Sequence, residues 1–279
     1  MLRIAAIEFL NAAPLMWGLE GDARFRLAYT LPSACADALR EGSAELGVIP
    51  VIELARVGGL VGLEGLGVAA RAEAGAEVRS ILLVSRRPAA EVRRLGLDRA
   101  SRTSAALVQI LLRRRFGAEF AVQPGDADWR RGLAEADAVL LIGDPALRLR
   151  VSGEAEAAGL RVYDLAREWQ AWTGLPFVFA LWGIRAEAFE ANREWLPQRL
   201  EQALEQGLEQ REALVAAWAP RLRLAPEEVR RYLAENVAYH LTAAHQEGLR
   251  RFFALAAADG LVAAPEPPPL VRAGEEARR

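Results

Sequence analysis

The chain has 279 residues, 52% apolar and 26% charged, with a formal net charge of −2. That composition can bury a sizeable core as one large domain or two lobes, which excludes global disorder, and its near-neutral balance argues against nucleic acid or an anionic membrane as the main partner. All 35 basic residues are arginine, so pyridoxal-phosphate and Schiff-base lysine chemistry, the P-loop lysine and the protein-kinase lysine are all excluded.

The first predicted element is a buried strand over 2–9. It runs out in "IEFLNAAPL", where Asn11 stands at the strand end ahead of Pro14. An amide there is either a turn-former or the first residue of a site. A helix can start over 12–19, with Pro14 in its first turn. A second strand follows at 26–30, then a helix capped by Ser33 and ended by Gly42. Cys35 lies on that helix as the only cysteine, which fits a buried structural thiol in a cytosolic setting and rules out an internal disulfide. "AELGVIPV" (44–51) is a strand closing at Pro50. "GGLVGLEGLG" (58–67) lacks the spacing and following helix of a dinucleotide fingerprint and reads as loop and strand edge.

"EVRSILLVSR" (77–86) reads as a long strand. Ser101 caps a helix running to 116, with Gly117 as its stop. Strands at 118–124 and 136–144 flank a helix at 128–136, and another strand covers 160–165. "LPFVFALWGIR" (175–185) is a long apolar strand. Helices then follow over 187–216, 226–239 and 242–258, with Pro197 and Pro220 as breakers. The proline-rich tail 264–279 reads as frayed. No run of 18 apolar residues and no basic region before an apolar core is present, so neither a membrane anchor nor a signal peptide is expected.

Alternating strands and helices indicate α/β sheets rich in parallel pairs. Two long apolar strands, 77–86 and 175–185, bracket a block of β-α-β character. The chain can leave one lobe along the first and return along the second. The expected organisation is a discontinuous first lobe, 1–82 with 176–279, and a second lobe, 83–175, with a ligand cleft between them.

Several residues then face the cleft by position. "SRTS" (101–104) combines a helix N-terminus with the hydroxyls of Ser101, Thr103 and Ser104. It is either a carboxylate or phosphate site or an ordinary N-cap. Arg102 reads as a surface residue, with pairing to a substrate anion as the other choice. Asp144 after Gly143 either caps the following helix, the favoured reading, or orients a hydroxyl. Ser80 is a lone polar residue on an apolar strand face, with a buried partner or a ligand. His240 and His245 are five apart, against the four expected of two ligands on one helix face, and read as packing or capping residues. With one cysteine and two histidines no zinc cluster forms. No metal, cofactor, nucleophile–base pair or carboxylate dyad is predicted, so the residues alone suggest a cleft for a small anion, with chemistry by positioning.

The segments "RIAAIEFLNAAPL", "LPSACADALREGSAELGVIPVIEL", "VRSILLVSR", "SRTSAALVQILL", "ADAVLLIGDPAL", "DLAREWQAWTGLPFVFALWGIR" and "YHLTAAHQEGLRRFFALAAADGLV" resemble, in order from about residue 3 to 260, the chorismate dehydratase family of the futalosine route to menaquinone. The resemblance implies a two-lobed type 2 periplasmic-binding-protein-like fold (a Venus flytrap), used as a cytoplasmic enzyme. The implied reaction is loss of water from chorismate to give 3-[(1-carboxyvinyl)oxy]benzoate. It places Asn11 and Ser80 in the catalytic site and Ser101, Thr103 and Ser104 at the substrate, with Gly143 and Asp144 added from position. The implied partner is the dianionic chorismate, without nucleic acid or membrane, and a homodimer is among the assemblies the sequence allows. Two other readings stand beside it. One is dihydroxynaphthoate synthase of the same route, which should carry a catalytic histidine in its second lobe. The other is a non-enzymatic solute-binding protein, which should carry a signal or a lipid-anchoring cysteine.

Overall fold

The computed structural model describes residues 1–98 and 100–271. Among the described residues twelve strands form two sheets. The larger contains β1 (Leu2–Ile7), β2 (Phe25–Thr30), β3 (Leu46–Pro50), β4 (Leu60–Ala70), β10 (Val178–Arg185), β11 (Val237–His240) and β12 (Leu270–Val271). Its order is β11-β4-β10-β3-β1-β2, with β12 also beside β4. The smaller contains β5 (Ile81–Ser85), β6 (Arg94–Leu97), β7 (Ala121–Pro124), β8 (Ala138–Ile142) and β9 (Arg161–Asp164), in the order β7-β6-β8-β5-β9. Both sheets are mixed. β1 pairs in parallel with β2 and β3, whereas β10 runs antiparallel to β3 and β4. Helices flank each sheet, and each sheet with its helices is called a lobe below.

The two long apolar strands are buried along nearly their whole length, as continuous apolar runs require. The strand expected over 77–86 is shorter, at Ile81–Ser85. Arg79 takes a left-handed φ of 60°, so the extended backbone cannot continue back through it. Its N–H donates to Asp164 Oδ2 at 2.6 Å instead.

Other expectations need correction. The glycine-rich 58–67 segment is not loop and strand edge but most of β4, inside the large sheet. Its glycines permit close approach there. A Cβ on Gly67 would lie 2.5 Å from the Ala180 carbonyl of β10. Ser33 is not a cap: the helix Pro32–Glu41 starts at Leu31 and Pro32, whose fixed φ suits a first turn. Ser101 is not a cap either, since the helix Thr103–Ile110 has Arg102 at that position and no side-chain cap. The long helix expected to 239 stops early. Pro226–Arg231 passes into a π turn, Tyr232–Asn236, and then into β11. Pro220 lies within the helix Arg211–Leu222, while Pro197 opens the helix Leu196–Glu209. In the tail, Leu270–Val271 pairs with Gly62 and Leu63 of β4; residues 272–279 lie outside the described residues.

Among the described residues no helix is long and apolar enough to cross a membrane, and no group of three or more His, Cys, Asp or Glu is placed to hold a metal. Cys35 is buried and unpaired, and burial pushes its thiol up to about 12.

Candidate active site

Both lobes contribute to one cavity of about 50 Å³. From the large sheet come Ile7, Phe9, Asn11 and Phe179; from the small sheet come Ile81, Ile142, Gly143 and the 101–104 segment. The topology explains this convergence. β1 ends into the short 3-10 turn Leu10–Met16, and β8 ends into the helix Gly143–Ser152. The helix Thr103–Ile110 presents its N-terminus to the same space.

Asn11 Oδ1 is buried and has no hydrogen-bond partner. An unsatisfied buried acceptor is costly. Opposite it, the N-terminus of Thr103–Ile110 offers backbone N–H groups and the positive end of a helix dipole. Ser101, Thr103 and Ser104 are buried there. Thr103 Oγ1 is partly used, accepting the Ile52 N–H from the other lobe at 3.3 Å.

Arg102 is a correction. It is neither a free surface residue nor a free anion ligand. Arg102 lines the cavity, but its guanidinium donates to Glu53 Oε2 at 2.6 Å and to Asp37 at 2.7 Å, both in the other lobe. Glu53 is 1% exposed and also accepts from Arg40 and Arg56. This cluster ties the Arg102 segment to the other lobe by charge, and nothing local in the sequence marks Glu53 as its centre.

Gly143 and Asp144 behave differently from each other. Gly143 lines the cavity with φ 64°, and a Cβ there would lie 2.6 Å from the Phe9 ring. Asp144 is not a helix cap. It sits in the first turn of Gly143–Ser152 and accepts the Leu10 N–H at Oδ1, 3.0 Å away in the other lobe. Burial pushes its carboxyl up to about 6, against the lowering pull of the Leu10 N–H. Asp144 is not among the cavity-lining residues.

Ser80 is not on the cavity wall either. It is 1% exposed, and its Oγ accepts from the Tyr232 hydroxyl at 2.8 Å. The Ser80 proton is therefore left over as a donor. The Ser80 carbonyl accepts the Gly143 N–H at 2.8 Å, which fixes the Gly143–Asp144 turn. Tyr232 had no signal in the sequence as a partner of Ser80, because it comes 152 residues later.

The histidines lie elsewhere. His240 is exposed beside Glu205 at 3.0 Å. His245 forms a capping box with Thr242 at the start of Ala243–Ala258. Its Nδ1 accepts the Thr242 N–H at 3.1 Å, so Nε2 carries the proton and donates to the Ala70 carbonyl at 2.9 Å.

Comparison with known proteins adds the family. Residues 2–258 match the model of a family described as menaquinone biosynthesis. The chain belongs to this menaquinone biosynthesis family. It is 30% identical over 265 residues to the chorismate dehydratase of Thermus thermophilus, covering 88% of this chain and 91% of that protein. Among solved structures, an Archaeoglobus fulgidus protein superposes with a TM-score of 0.70 at 18% identity, over 94% of this chain and 98% of that one. The periplasmic aliphatic sulphonate binding protein of Escherichia coli gives 0.65 at 16% identity, over 100% and 96%. A Candida albicans protein described as having the generic periplasmic binding protein fold gives 0.59 at 10% identity, over 86% and 81%. At such identities these structures establish the fold alone: the chain has the two-lobed periplasmic-binding-protein architecture. The family makes it an enzyme of menaquinone biosynthesis.

Proposed function

We propose that the protein is a chorismate dehydratase, a hydro-lyase acting in the cytoplasm that converts chorismate to 3-[(1-carboxyvinyl)oxy]benzoate. The observation that carries this reading is the 30% identity to the Thermus thermophilus enzyme across 88% of the chain. The site suits it. The reaction breaks the C4–O bond and the C3–H bond of chorismate, releases one water and leaves an aromatic ring. Aromatisation supplies the driving force, so the protein has to hold a dianion, exclude water and align the breaking bonds.

The N-terminus of Thr103–Ile110 with Ser101 and Ser104 holds one carboxylate, since Arg102 is already neutralised by Glu53 and Asp37. Asn11 and Ser80 hold the reacting geometry. The Asn11 amide, with its Oδ1 unpartnered, lies beside the departing hydroxyl. Ser80, off the cavity wall, acts indirectly, its carbonyl fixing the Gly143 turn. The substrate's enolpyruvyl carboxylate takes the C3 proton, because an amide and a hydroxyl are poor bases. A ring bearing an enolpyruvyl ether and two carboxylates exceeds a cavity of about 50 Å³. The lobes therefore part to admit it and close to dry the site.

Incubation of purified protein with chorismate tests this. The expected product is aromatic, retains the enolpyruvyl group and is one water lighter, read by absorbance and mass. Asn11→Ala should lose turnover by a hundred-fold or more. Tight chorismate binding without turnover in the wild type would return the protein to the solute-binding reading.

A further inference from the structure

A second pocket of about 290 Å³ lies at the outer edge of the large sheet and shares no lining residue with the interlobe cavity. Its wall is mostly apolar, with Leu208, Leu233 and Val237 among the lining side chains. Its polar groups fall into two sets. The first set is satisfied. Arg71 donates to Glu73 and to the Ala234 carbonyl. His245 is held by Thr242 and the Ala70 carbonyl, and burial lowers its pKa, so it is neutral.

The second set is not satisfied. Among the described residues no carboxylate pairs with Arg211. The adjacent Glu212 is taken by Arg230, at 2.8 Å to each oxygen. Arg211 Nε is buried without an acceptor. Tyr239, 4% exposed, also has a buried hydroxyl without a partner. Arg211 and Tyr239 line the same pocket. Two unsatisfied buried donors in one pocket require a common explanation, because each costs stability while left unmade.

We propose that this pocket binds a small monocarboxylate with an apolar body, its carboxylate seated on Arg211 and Tyr239. The guanidinium edge formed by Nε and a terminal nitrogen matches the two oxygens of a carboxylate. The Tyr239 hydroxyl is a further donor, and the apolar wall covers the rest of the molecule. Among the described residues lining the pocket, Arg211 is the one arginine without an ion pair, so a dicarboxylate would leave one charge unpaired near Glu73. The ligand class thus differs from the dianion proposed for the interlobe cavity, and the inference stands apart from that reading.

Benzoate is the probe, with isophthalate as the dianionic control. Both are titrated into the full-length protein while nitrogen-15 NMR follows the arginine Nε–H signals. The expected result is saturable benzoate binding that moves the Arg211 Nε–H signal. Arg211→Gln and Tyr239→Phe should each weaken it ten-fold or more. Asn11→Ala should leave it unchanged, and isophthalate should bind at least ten-fold more weakly than benzoate. Where a variant fails to fold, the Arg211 signal in the wild type decides directly. An unmoved Arg211 signal at saturating benzoate overturns the proposal. So does wild-type affinity in folded Arg211→Gln and Tyr239→Phe, loss of binding in Asn11→Ala, or equal affinity for isophthalate.

Discussion

The Leu10 N–H donates to Asp144 Oδ1 at 3.0 Å, from the end of β1 in one lobe to the end of β8 in the other. Leu10 opens the turn that carries Asn11. A carboxylate of one lobe thereby orders the amide of the other, and only when the two lobes are together. Asp144→Ala leaves that N–H without its acceptor, a loss of about 1–3 kcal/mol. We expect kcat for chorismate to fall ten-fold or more with a smaller change in KM. Asp144→Asn, which keeps an acceptor oxygen, should recover most of the rate. Steady-state kinetics on the three proteins make the comparison; equal kcat in all three would remove Asp144 from any positioning role.

The same carboxylate makes stability depend on pH. Burial raises Asp144 to about 6 from an ordinary 3.8. The folded state then binds the extra proton between these values, so this contribution to stability is present at low pH and is lost as pH rises through about 6. Asp164, also raised to about 6 by burial, adds a parallel slope. Asp144→Asn removes one of the two. Wild type minus Asp144→Asn should therefore lose about 2–3 kcal/mol between pH 4 and pH 7, read from urea unfolding at each pH. A difference that stays flat would mean that Asp144 is not buried in solution.

How legible this site was depends on how far apart its partners lie. Asn11 stood out because a polar residue at a strand end is a local feature, and "SRTS" and "GDPA" were local in the same way. Arg102 was misjudged because its acids lie 49 and 65 residues away, and nothing in the sequence pairs them. Tyr232 was invisible behind Ser80 for the same reason. β4 failed differently. Its glycines at 62, 65 and 67 remove the side-chain pattern by which a strand is recognised, although those at 62 and 67 stand where a Cβ would collide with a neighbour. The two long strands were plain because both lie buried under helices and are almost wholly apolar.

Glu53 should be the most sensitive acid in the first lobe. Its carboxylate holds Arg102 at 2.6 Å, Arg40 at 2.8 Å and Arg56 at 3.0 Å. Glu53→Gln removes the charge from among three cations. Arg40 and Arg56 are 44% and 36% exposed and can turn to water, whereas Arg102 is 24% exposed and fixed on the cavity wall. The expected loss is about 3 kcal/mol, the low end for breaking a buried pair. It should persist at high salt, since a buried pair is little screened. Unfolding in urea at low and high ionic strength would show this, and a loss abolished by salt would place the cluster in solvent.

Gly143 meets two demands at once. Its φ of 64° lies in the left-handed region, and its missing Cβ leaves room for the Phe9 ring, which a Cβ would approach to 2.6 Å. Gly143→Ala should cost roughly 1–3 kcal/mol for the backbone conformation alone, with the collision added. Phe9→Ala removes the collision but not the conformational strain. The double variant should therefore recover part of the loss, giving a coupling of about 1 kcal/mol or more between two residues 134 positions apart in "IEFLNAAPL" and "LIGDPAL". Turnover should follow the same pattern, because the Phe9–Gly143 contact brings Asn11 and the N-terminus of Thr103–Ile110 to one cavity. A coupling under about 0.5 kcal/mol would mean that Gly143 serves its own turn and not the closure of the lobes.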